Sequence, residues 1–231
     1  MSVPLSGATR AAWKGLFAGQ AEWVKGLLDP VRAELDALPE GAIWNGWFES
    51  GDAETYYALL RHAKPARVVE LGSGHSSGLA ARALLKNGHG QLTCIDPAPR
   101  TAPPASARHV ASPWQAAPAE ARALGPGDVL FVDSSHEAEE ALECYLLFDA
   151  VPPGAWVHIH DILYPHPPRF PEENLVLSYF ALRRERWEGV AALALLHHEL
   201  GPRGMLALFP SSARAPERVP GSVWLRRRAG P

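Results

Sequence analysis

Residues able to do chemistry form three sets at the ends of β-like segments of the chain, and the first set surrounds a glycine-rich turn. Residues 70–74 read ELGSG, follow a β-branched run and precede an amphipathic segment. Glycines in such a turn let the main chain approach a ligand without a Cβ in the way. Asp96 ends the next apolar run, where a carboxylate can accept both ribose hydroxyl hydrogens. The pattern predicts a nucleotide-like ligand near Gly72, Ser73, Gly74 and Asp96.

Glu70 distinguishes between two ligands of this kind. A nicotinamide dinucleotide favours a third glycine for close helix packing, whereas Ser77 occupies that position. A carboxylate ahead of the turn would also oppose a pyrophosphate, but it suits the sulfonium and ammonium groups of S-adenosylmethionine. We therefore expect S-adenosylmethionine as the cofactor, with Glu70 helping to fix its cationic end through the loop. An NAD-binding oxidoreductase is the alternative.

The second and third sets end two later apolar runs. Asp133 and His136 follow one run, and an imidazole near neutrality can accept a proton from an acidified hydroxyl. His158, His160 and Asp161 close the other, with the two histidines on one face of a strand. Helix capping and buried hydrogen bonding are the structural alternatives, and for His158 we favour the structural role. The His-x-His-Asp string also keeps a metal-dependent hydrolase open, and a non-catalytic binding module is a further alternative.

These segments together resemble class I S-adenosylmethionine-dependent methyltransferases. The ELGSG turn with Asp96 is similar to the first two motifs of that class, with Ser76 where the family usually has a third glycine. Residues 70–77, 128–136 and 157–162 resemble a bacterial subgroup called methyltransferase family 24, over about residues 50–185. The resemblance implies cofactor binding by residues of these motifs: Glu70, Gly72, Ser73, Gly74, Ser76, Asp96 and Asp133.

The same resemblance implies O-methylation with a metal. In catechol-type O-methyltransferases the residue that matches Asp133 holds Mg²⁺, and a lysine three residues later, matching His136, removes the hydroxyl proton. Asp161 corresponds to a second metal ligand, and His160 beside it shifts the preference away from Mg²⁺. We therefore expect His136, Asp133 and Asp161 to be catalytic, and Asp133, His160 and Asp161 to bind a divalent metal such as Mg²⁺ or Mn²⁺.

Apolar periodicity predicts the elements that position these residues. Helices are expected within 11–38 and at 52–60, 77–86, 115–124, 138–148 and about 172–187; strands are expected at 67–71, 91–95, 108–111, 129–132, 155–160, 190–196 and 204–209. Such alternation predicts an α/β fold, a Rossmann-like doubly wound, mainly parallel seven-stranded sheet with helices on both faces.

We expect an N-terminal helical extension or lid at 1–60 and the cofactor-binding domain at 61–231. Trp44, Trp47 and Phe48 could cover the ligand, and Glu173-Asn174 could line its opening.

Composition limits the classes of binding partner that the sequence supports. A net charge of −3 provides no basic field for nucleic acid, and two cysteines without a metal-type spacing fit a reducing cytoplasm. No apolar run of about 18 residues or secretion signal is present in the sequence, so we expect no membrane partner. The expected partner is a small-molecule hydroxyl acceptor, such as a sugar, and a homo-oligomer is left open.

Overall fold

A seven-stranded sheet forms the centre of the computed structural model, which describes residues 5–170 and 172–229. The strands are β1 (Arg67–Leu71), β2 (Gln91–Ile95), β3 (Arg108–Val110), β4 (Val129–Val132), β5 (Trp156–Ile159), β6 (Trp187–Ala192) and β7 (Val223–Arg227). Their order is β3-β2-β1-β4-β5-β7-β6, and β7 is antiparallel to both of its neighbours. The predicted fold class is confirmed.

Helices cover both faces of this sheet. They are α1 (Gly7–Leu16), α2 (Gln20–Leu28), α3 (Arg32–Asp36), α4 (Glu40–Ile43), α5 (Gly51–Ala63), α6 (His75–Asn87), α7 (Pro118–Ala121), α8 (Ala138–Ala150), α9 (Glu173–Leu182) and α10 (Leu193–Leu208). One apolar core contains side chains of α2, α5, α6 and α10, and the other contains side chains of α1, α8 and α9. The sheet therefore has a hydrophobic layer on each face, as a doubly wound fold requires.

Two strands predicted in the C-terminal region lie elsewhere in the structure. The strand predicted at 190–196 is displaced to Trp187–Ala192, and the strand predicted at 204–209 lies almost entirely within α10. Residues 190–196 are buried without interruption, and such a run does not distinguish a strand from a helix. Residues 205–208 are the strong helix formers Met-Leu-Ala-Leu. Val223–Arg227 instead takes the place between β5 and β6.

Three helix predictions also need correction. Residues 115–124 form only a short 3₁₀ turn and the four-residue α7, and α9 ends at Leu182 instead of 187. Helix α5 runs from Gly51 to Ala63, beyond both ends of the predicted helix at 52–60. Asp52 is buried and accepts hydrogen bonds from the backbone N–H groups of Gly221 (3.3 Å) and Ser222 (2.8 Å). It thereby connects α5 to the segment that enters β7.

The N-terminal part packs closely on the remainder of the chain. Helix α1 contacts α9 and β6, α2 contacts α5 and β6, and α5 runs continuously across residues 60 and 61. Both cysteines, Cys94 and Cys144, are free and buried. Among the helices that the structure describes, none has the length and apolar character needed to cross a membrane.

Candidate active site

The glycine turn after β1 is pressed between the ends of two other strands. Gly72 has φ +84°, and its N–H donates to the carbonyl of Ile95 at 3.0 Å. A Cβ at Gly72 would lie 1.8 Å from the carbonyl oxygen of Asp133. Both the positive φ and this close approach require glycine. The first motif is therefore a backbone junction between β1, β2 and β4.

Asp96 is held in place by backbone donors. One carboxylate oxygen accepts the N–H of Ser73 at 2.8 Å, and the other accepts the N–H of Ala98 at 2.8 Å. Asp96, Ser73, Gly74 and Ser76 all line one cavity of about 1000 Å³. The predicted cofactor residues thus lie together at the carboxyl edge of the sheet, where ligands bind in doubly wound folds.

Glu70 lies behind this loop and does not line the cavity. It is fully buried, accepts a hydrogen bond from the Tyr56 hydroxyl at 2.8 Å, and accepts another from the Ser77 hydroxyl. Burial raises the pKa of Glu70 to about 7, although these hydrogen bonds oppose the shift. The Ser77 hydroxyl also accepts the N–H of Gly74 at 3.2 Å. Glu70 therefore acts on the loop through Ser77.

Aromatic and basic side chains cover the cavity. Trp47 and Phe48 line it, as their predicted covering role requires, whereas Trp44 packs at the margin of the core. Trp47 is 50% exposed, and the guanidinium of Arg100 lies 3.6 Å from its ring centroid. Arg218 pairs with Glu49 at 2.7 Å. The loop that carries Trp47 is thereby fastened to the loops after β2 and before β7.

The ends of β4 and β5 bring together the three predicted metal ligands. One ligand atom each from Asp133, His160 and Asp161 lies within 4.8 Å of the others. Nδ1 of His160 is 3.5 Å from an oxygen of Asp133 and 3.7 Å from an oxygen of Asp161. This nitrogen is buried and has no hydrogen-bond partner. A carboxylate–imidazole set with a free, buried nitrogen fits a divalent metal ion.

His136 faces the same cluster from the loop after β4. Its Nε2 lies 3.4 Å from oxygens of both Asp133 and Asp161, and its Nδ1 lies 3.1 Å from a Glu172 oxygen. Its ring stacks on Phe170 with centroids 4.0 Å apart and planes within 3°. The ring orientation is therefore determined by Glu172 and Phe170, with Nε2 directed at the two aspartates.

The carboxylates and imidazoles of this cluster shift one another's pKa values. Burial works against the anion of Asp133, but His160 and His136 outweigh it and hold the pKa of Asp133 well below its ordinary value. Burial lowers the pKa of His160, but Asp133 and Asp52 outweigh it and raise that pKa well above the ordinary value. The pKa of His136 is also raised, because Asp133, Asp161 and Glu172 outweigh burial.

Two other residues considered for the site, His158 and Glu173, bond to protein groups instead of lining the cavity. His158 is fully buried, pairs with the Ser222 hydroxyl at 2.9 Å and stacks on Phe131 at 4.0 Å, a position that agrees with the structural role favoured for it. Glu173 does not line the cavity; its carboxylate accepts the N–H groups of Leu163 and Tyr164, each at 2.7 Å. The acidic side chain that reaches the cluster is its neighbour Glu172.

Several residues of the cavity carry no signal in the sequence. Trp114 lines it and donates to Glu140 at 2.7 Å, while Glu140 also accepts the N–H of Ser135 at 2.9 Å. Arg169 lines the opening, 3.6 Å from Asp161. Trp114 lies in a short 3₁₀ turn, Arg169 in a loop and Glu140 in the first turn of α8, and no spacing in the chain identifies them.

The comparisons with known proteins agree with this geometry. Residues 69–162 match the model of a methyltransferase domain, methyltransferase family 24. The match runs from β1 to the loop after β5 and covers 94 of the 231 residues. The predicted class I, S-adenosylmethionine-dependent methyltransferase is confirmed, which decides against the oxidoreductase and hydrolase alternatives.

Solved structures are similar in fold at low sequence identity. An O-methyltransferase from Bacillus cereus, in complex with SAH, is 10% identical over 90% of this chain and 91% of its own, with a TM-score of 0.50. The O-methyltransferase TomG from Streptomyces achromogenes, in complex with SAM, is 16% identical over 90% of both chains, with a TM-score of 0.41. No curated protein gives a significant match.

Proposed function

We propose that this methyltransferase transfers the methyl group of S-adenosylmethionine to a hydroxyl oxygen of a small molecule, such as a sugar or a phenol. The observation that carries the proposal is the shared cavity. Asp96 and the Gly72 turn line it together with the carboxylate–imidazole cluster of Asp133, His160 and Asp161. Donor and acceptor groups can therefore meet in one cavity, as direct transfer requires.

The cofactor residues divide into two groups. Ser73, Gly74, Ser76 and Asp96 line the cavity and would contact the cofactor, with Asp96 accepting ribose hydroxyls. Glu70 would act indirectly by holding the loop through Ser77. Asp133 borders both the turn and the acceptor side, because its carbonyl oxygen adjoins Gly72 while its carboxylate faces the imidazoles.

The transfer breaks the sulfonium S–C bond as a C–O bond forms, and the hydroxyl proton must leave. His136 would accept this proton at Nε2, because Glu172 engages Nδ1 and leaves Nε2 directed into the cavity. Asp133 and Asp161 would orient the acceptor from either side of that nitrogen. Neutralisation of the positive sulfonium in the transition state then favours an enclosed, low-dielectric site.

A divalent metal fits the same residues. Asp133, His160 and Asp161 would hold it, and the unpartnered Nδ1 of His160 supports this assignment. Such an ion would lower the pKa of an acceptor hydroxyl and bind vicinal oxygens, which is Lewis-acid chemistry. Mn²⁺ suits a mixed imidazole and carboxylate set better than Mg²⁺ does, because Mg²⁺ prefers oxygen ligands.

The N-terminal segment would act as a partial lid. Of residues 1–60, those described as lining the cavity are Gly46, Trp47, Phe48 and Asp52. We assign the covering role to this loop and keep a division into an extension at 1–60 and a catalytic domain at 61–231 as a proposal. A cytoplasmic location is likewise proposed, because the two cysteines are free and a reducing compartment keeps thiols in that state.

The decisive experiment is calorimetric titration with S-adenosylhomocysteine, with and without Mg²⁺ or Mn²⁺. The native chain should bind it, and Asp96→Ala should weaken binding by on the order of 100-fold, because a charge-assisted ribose contact is lost. Asp29→Ala, an exposed aspartate on the N-terminal helices, is the matched control. Absence of binding to the native chain would overturn the proposal.

Two further variants separate the proposed roles. Asp161→Ala should reduce the affinity for Mn²⁺, measured by equilibrium dialysis without acceptor, and leave S-adenosylhomocysteine binding intact. His136→Ala should lower the methyl-transfer rate by about 100-fold or more, the usual contribution of a general base. An undiminished rate would remove His136 from that role, and unchanged metal affinity would remove Asp161 from the metal site.

A further inference from the structure

A buried carboxylate on α5 faces the far nitrogen of the His160 ring. Oδ2 of Asp52 lies 3.7 Å from Nε2 of His160, and both side chains are buried. Asp133 and Asp161 approach the same ring at Nδ1, at 3.5 Å and 3.7 Å. The imidazole therefore stands between Asp52 on one side and the other two residues of the proposed metal site on the other.

Backbone and aromatic contacts hold Asp52 and His160 in this arrangement. Oδ1 of Asp52 accepts the N–H of Ser222 at 2.8 Å, and Oδ2 accepts the N–H of Gly221 at 3.3 Å. The ring of Phe48 packs against the imidazole, with the two centroids 5.1 Å apart. The carboxylate cannot turn away from His160 without breaking both backbone hydrogen bonds, so its position relative to Nε2 is fixed by the fold.

The contact at Nε2 bears on what Nδ1 of His160 can do. In a metal-binding histidine, the nitrogen that binds the metal is set by the hydrogen bond that the other nitrogen makes. At 3.7 Å the attraction between Asp52 and an Nε2–H group is electrostatic, and burial strengthens it. Nδ1 is itself buried without a hydrogen-bond partner. A proton held on Nε2 leaves the lone pair of Nδ1 available to a ligand.

We propose that Asp52 is a positioning residue of the metal site and that it acts through His160. Asp52 keeps the imidazole proton on Nε2, so that Nδ1 presents its lone pair to the divalent ion. This inference rests on the metal site of the proposed function. Because Asp52 lies in the first turn of α5, the N-terminal segment supports the metal site as well as covering the cavity.

Asp52→Asn is the sharpest test, because it keeps the size of the side chain. The amide oxygen would accept the N–H of Ser222, as Oδ1 of Asp52 does, and the amide NH₂ group would then face Nε2 of His160. A donor at Nε2 favours the opposite tautomer, with the proton on Nδ1. The affinity for Mn²⁺, measured by equilibrium dialysis without acceptor, should fall by about 10- to 100-fold. Asp36→Asn, an exposed change on α3, is the control and should leave this affinity unchanged.

A double-mutant cycle with His160→Asn separates this role from a general effect on the fold. An asparagine at position 160 would offer a side-chain oxygen, whose binding to Mn²⁺ needs no proton acceptor behind it. Adding Asp52→Asn to His160→Asn should therefore change the Mn²⁺ affinity by no more than about twofold. An equal loss in both backgrounds would show that Asp52 acts on the fold and not through His160.

NMR of the ¹⁵N-histidine-labelled chain, loaded with diamagnetic Zn²⁺, observes the tautomer directly. The signals of His160, identified by their absence in His160→Asn, should show a proton on Nε2. A proton on Nδ1, or an undiminished Mn²⁺ affinity in Asp52→Asn, would overturn the proposal.

The native chain separates this proposal from the proposed function. If the native chain binds Mn²⁺ and Asp52→Asn binds it equally well, the role of Asp52 fails while the metal site stands. If the native chain binds no Mn²⁺, the metal site fails and the role of Asp52 fails with it. Binding of S-adenosylhomocysteine to the native chain is measured without metal, so the test of methyl transfer is independent of both results.

Discussion

Two edges of the same cavity are built in different ways. At the β1–β2 edge, the polar groups pair with one another: Ser73 N–H with Asp96, and the Tyr56 hydroxyl with Glu70, each at 2.8 Å. At the β4–β5 edge, Nε2 of His136 and Nδ1 of His160 face carboxylate oxygens at 3.4–3.7 Å. These distances are longer than those of good hydrogen bonds.

The difference separates a preformed scaffold from the cluster to which we assign acceptor and metal binding. Groups of the first edge satisfy one another and hold the turn rigid, so substitutions there should change stability and cofactor affinity. Groups of the second edge keep donor atoms available to a ligand, so substitutions there should change metal affinity and the transfer rate. The following predictions test this contrast, beginning with the largest expected effect.

Gly72→Ala should be the most damaging change at the first edge. The new Cβ would collide with the Asp133 carbonyl and the positive φ would be strained, so we expect a loss of roughly 3 kcal/mol or more in the free energy of unfolding. Gly78→Ala, in α6 where a Cβ would meet no atom within 4 Å, is the control and should be neutral or slightly stabilising. Urea denaturation compares them, and equal midpoints would contradict the argument.

Glu70→Gln should change how stability depends on pH. The folded pKa of about 7 lies above the ordinary 4.5, so the folded state holds a proton that the unfolded state has lost. The native chain should therefore lose stability relative to the variant by about 1.4 kcal/mol per pH unit between pH 5 and 7. Urea denaturation across this range provides the measurement. Parallel curves for the two proteins would show that Glu70 does not titrate in this way.

Glu172→Gln should change the transfer rate, which we assign to the β4–β5 edge, and leave cofactor binding at the β1–β2 edge unchanged. The amide no longer supports a positive charge on His136, so the transfer rate should fall by about tenfold while S-adenosylhomocysteine affinity is retained. Steady-state kinetics and calorimetry separate these quantities. Glu139→Gln, an exposed change on α8, is the control, and a loss of cofactor affinity in Glu172→Gln would argue that the two edges are coupled.

Arg100→Ala should have the smallest effect. The side chain contributes a cation–π contact to Trp47 worth about 0.5–1 kcal/mol at an exposed site, so cofactor affinity should weaken about two- to fivefold. Arg122→Ala, an exposed residue outside the cavity, should leave the affinity unchanged. A result for Arg100→Ala equal to that control would mean that the Trp47 loop does not cover the cofactor.

The apolar strand pattern places the residues of both cavity edges at strand ends, but it fails for the C-terminal strands. The turn at Gly72 and the acid at Asp96 can be identified because each follows a strand whose bounds, Arg67–Leu71 and Gln91–Ile95, the apolar pattern gives correctly. Asp133, His160 and Asp161 likewise stand at the ends of predicted strands, but their grouping as metal ligands rests on the family resemblance; the structure brings their ligand atoms together. The C-terminal strands are misplaced by the pattern because a buried apolar run has no distinguishing period.

Local pattern by itself determined strands β1 to β5, the glycine turn and the acids that end these strands, because strand alternation and backbone constraints act over a few residues. Tertiary packing decided that Glu172 and Phe170 orient His136, that Asp52 holds the entry to β7, and that His166 meets α10. These partners are separated by tens to more than a hundred residues. Their proximity depends on how loops close over the sheet, which no short-range period encodes.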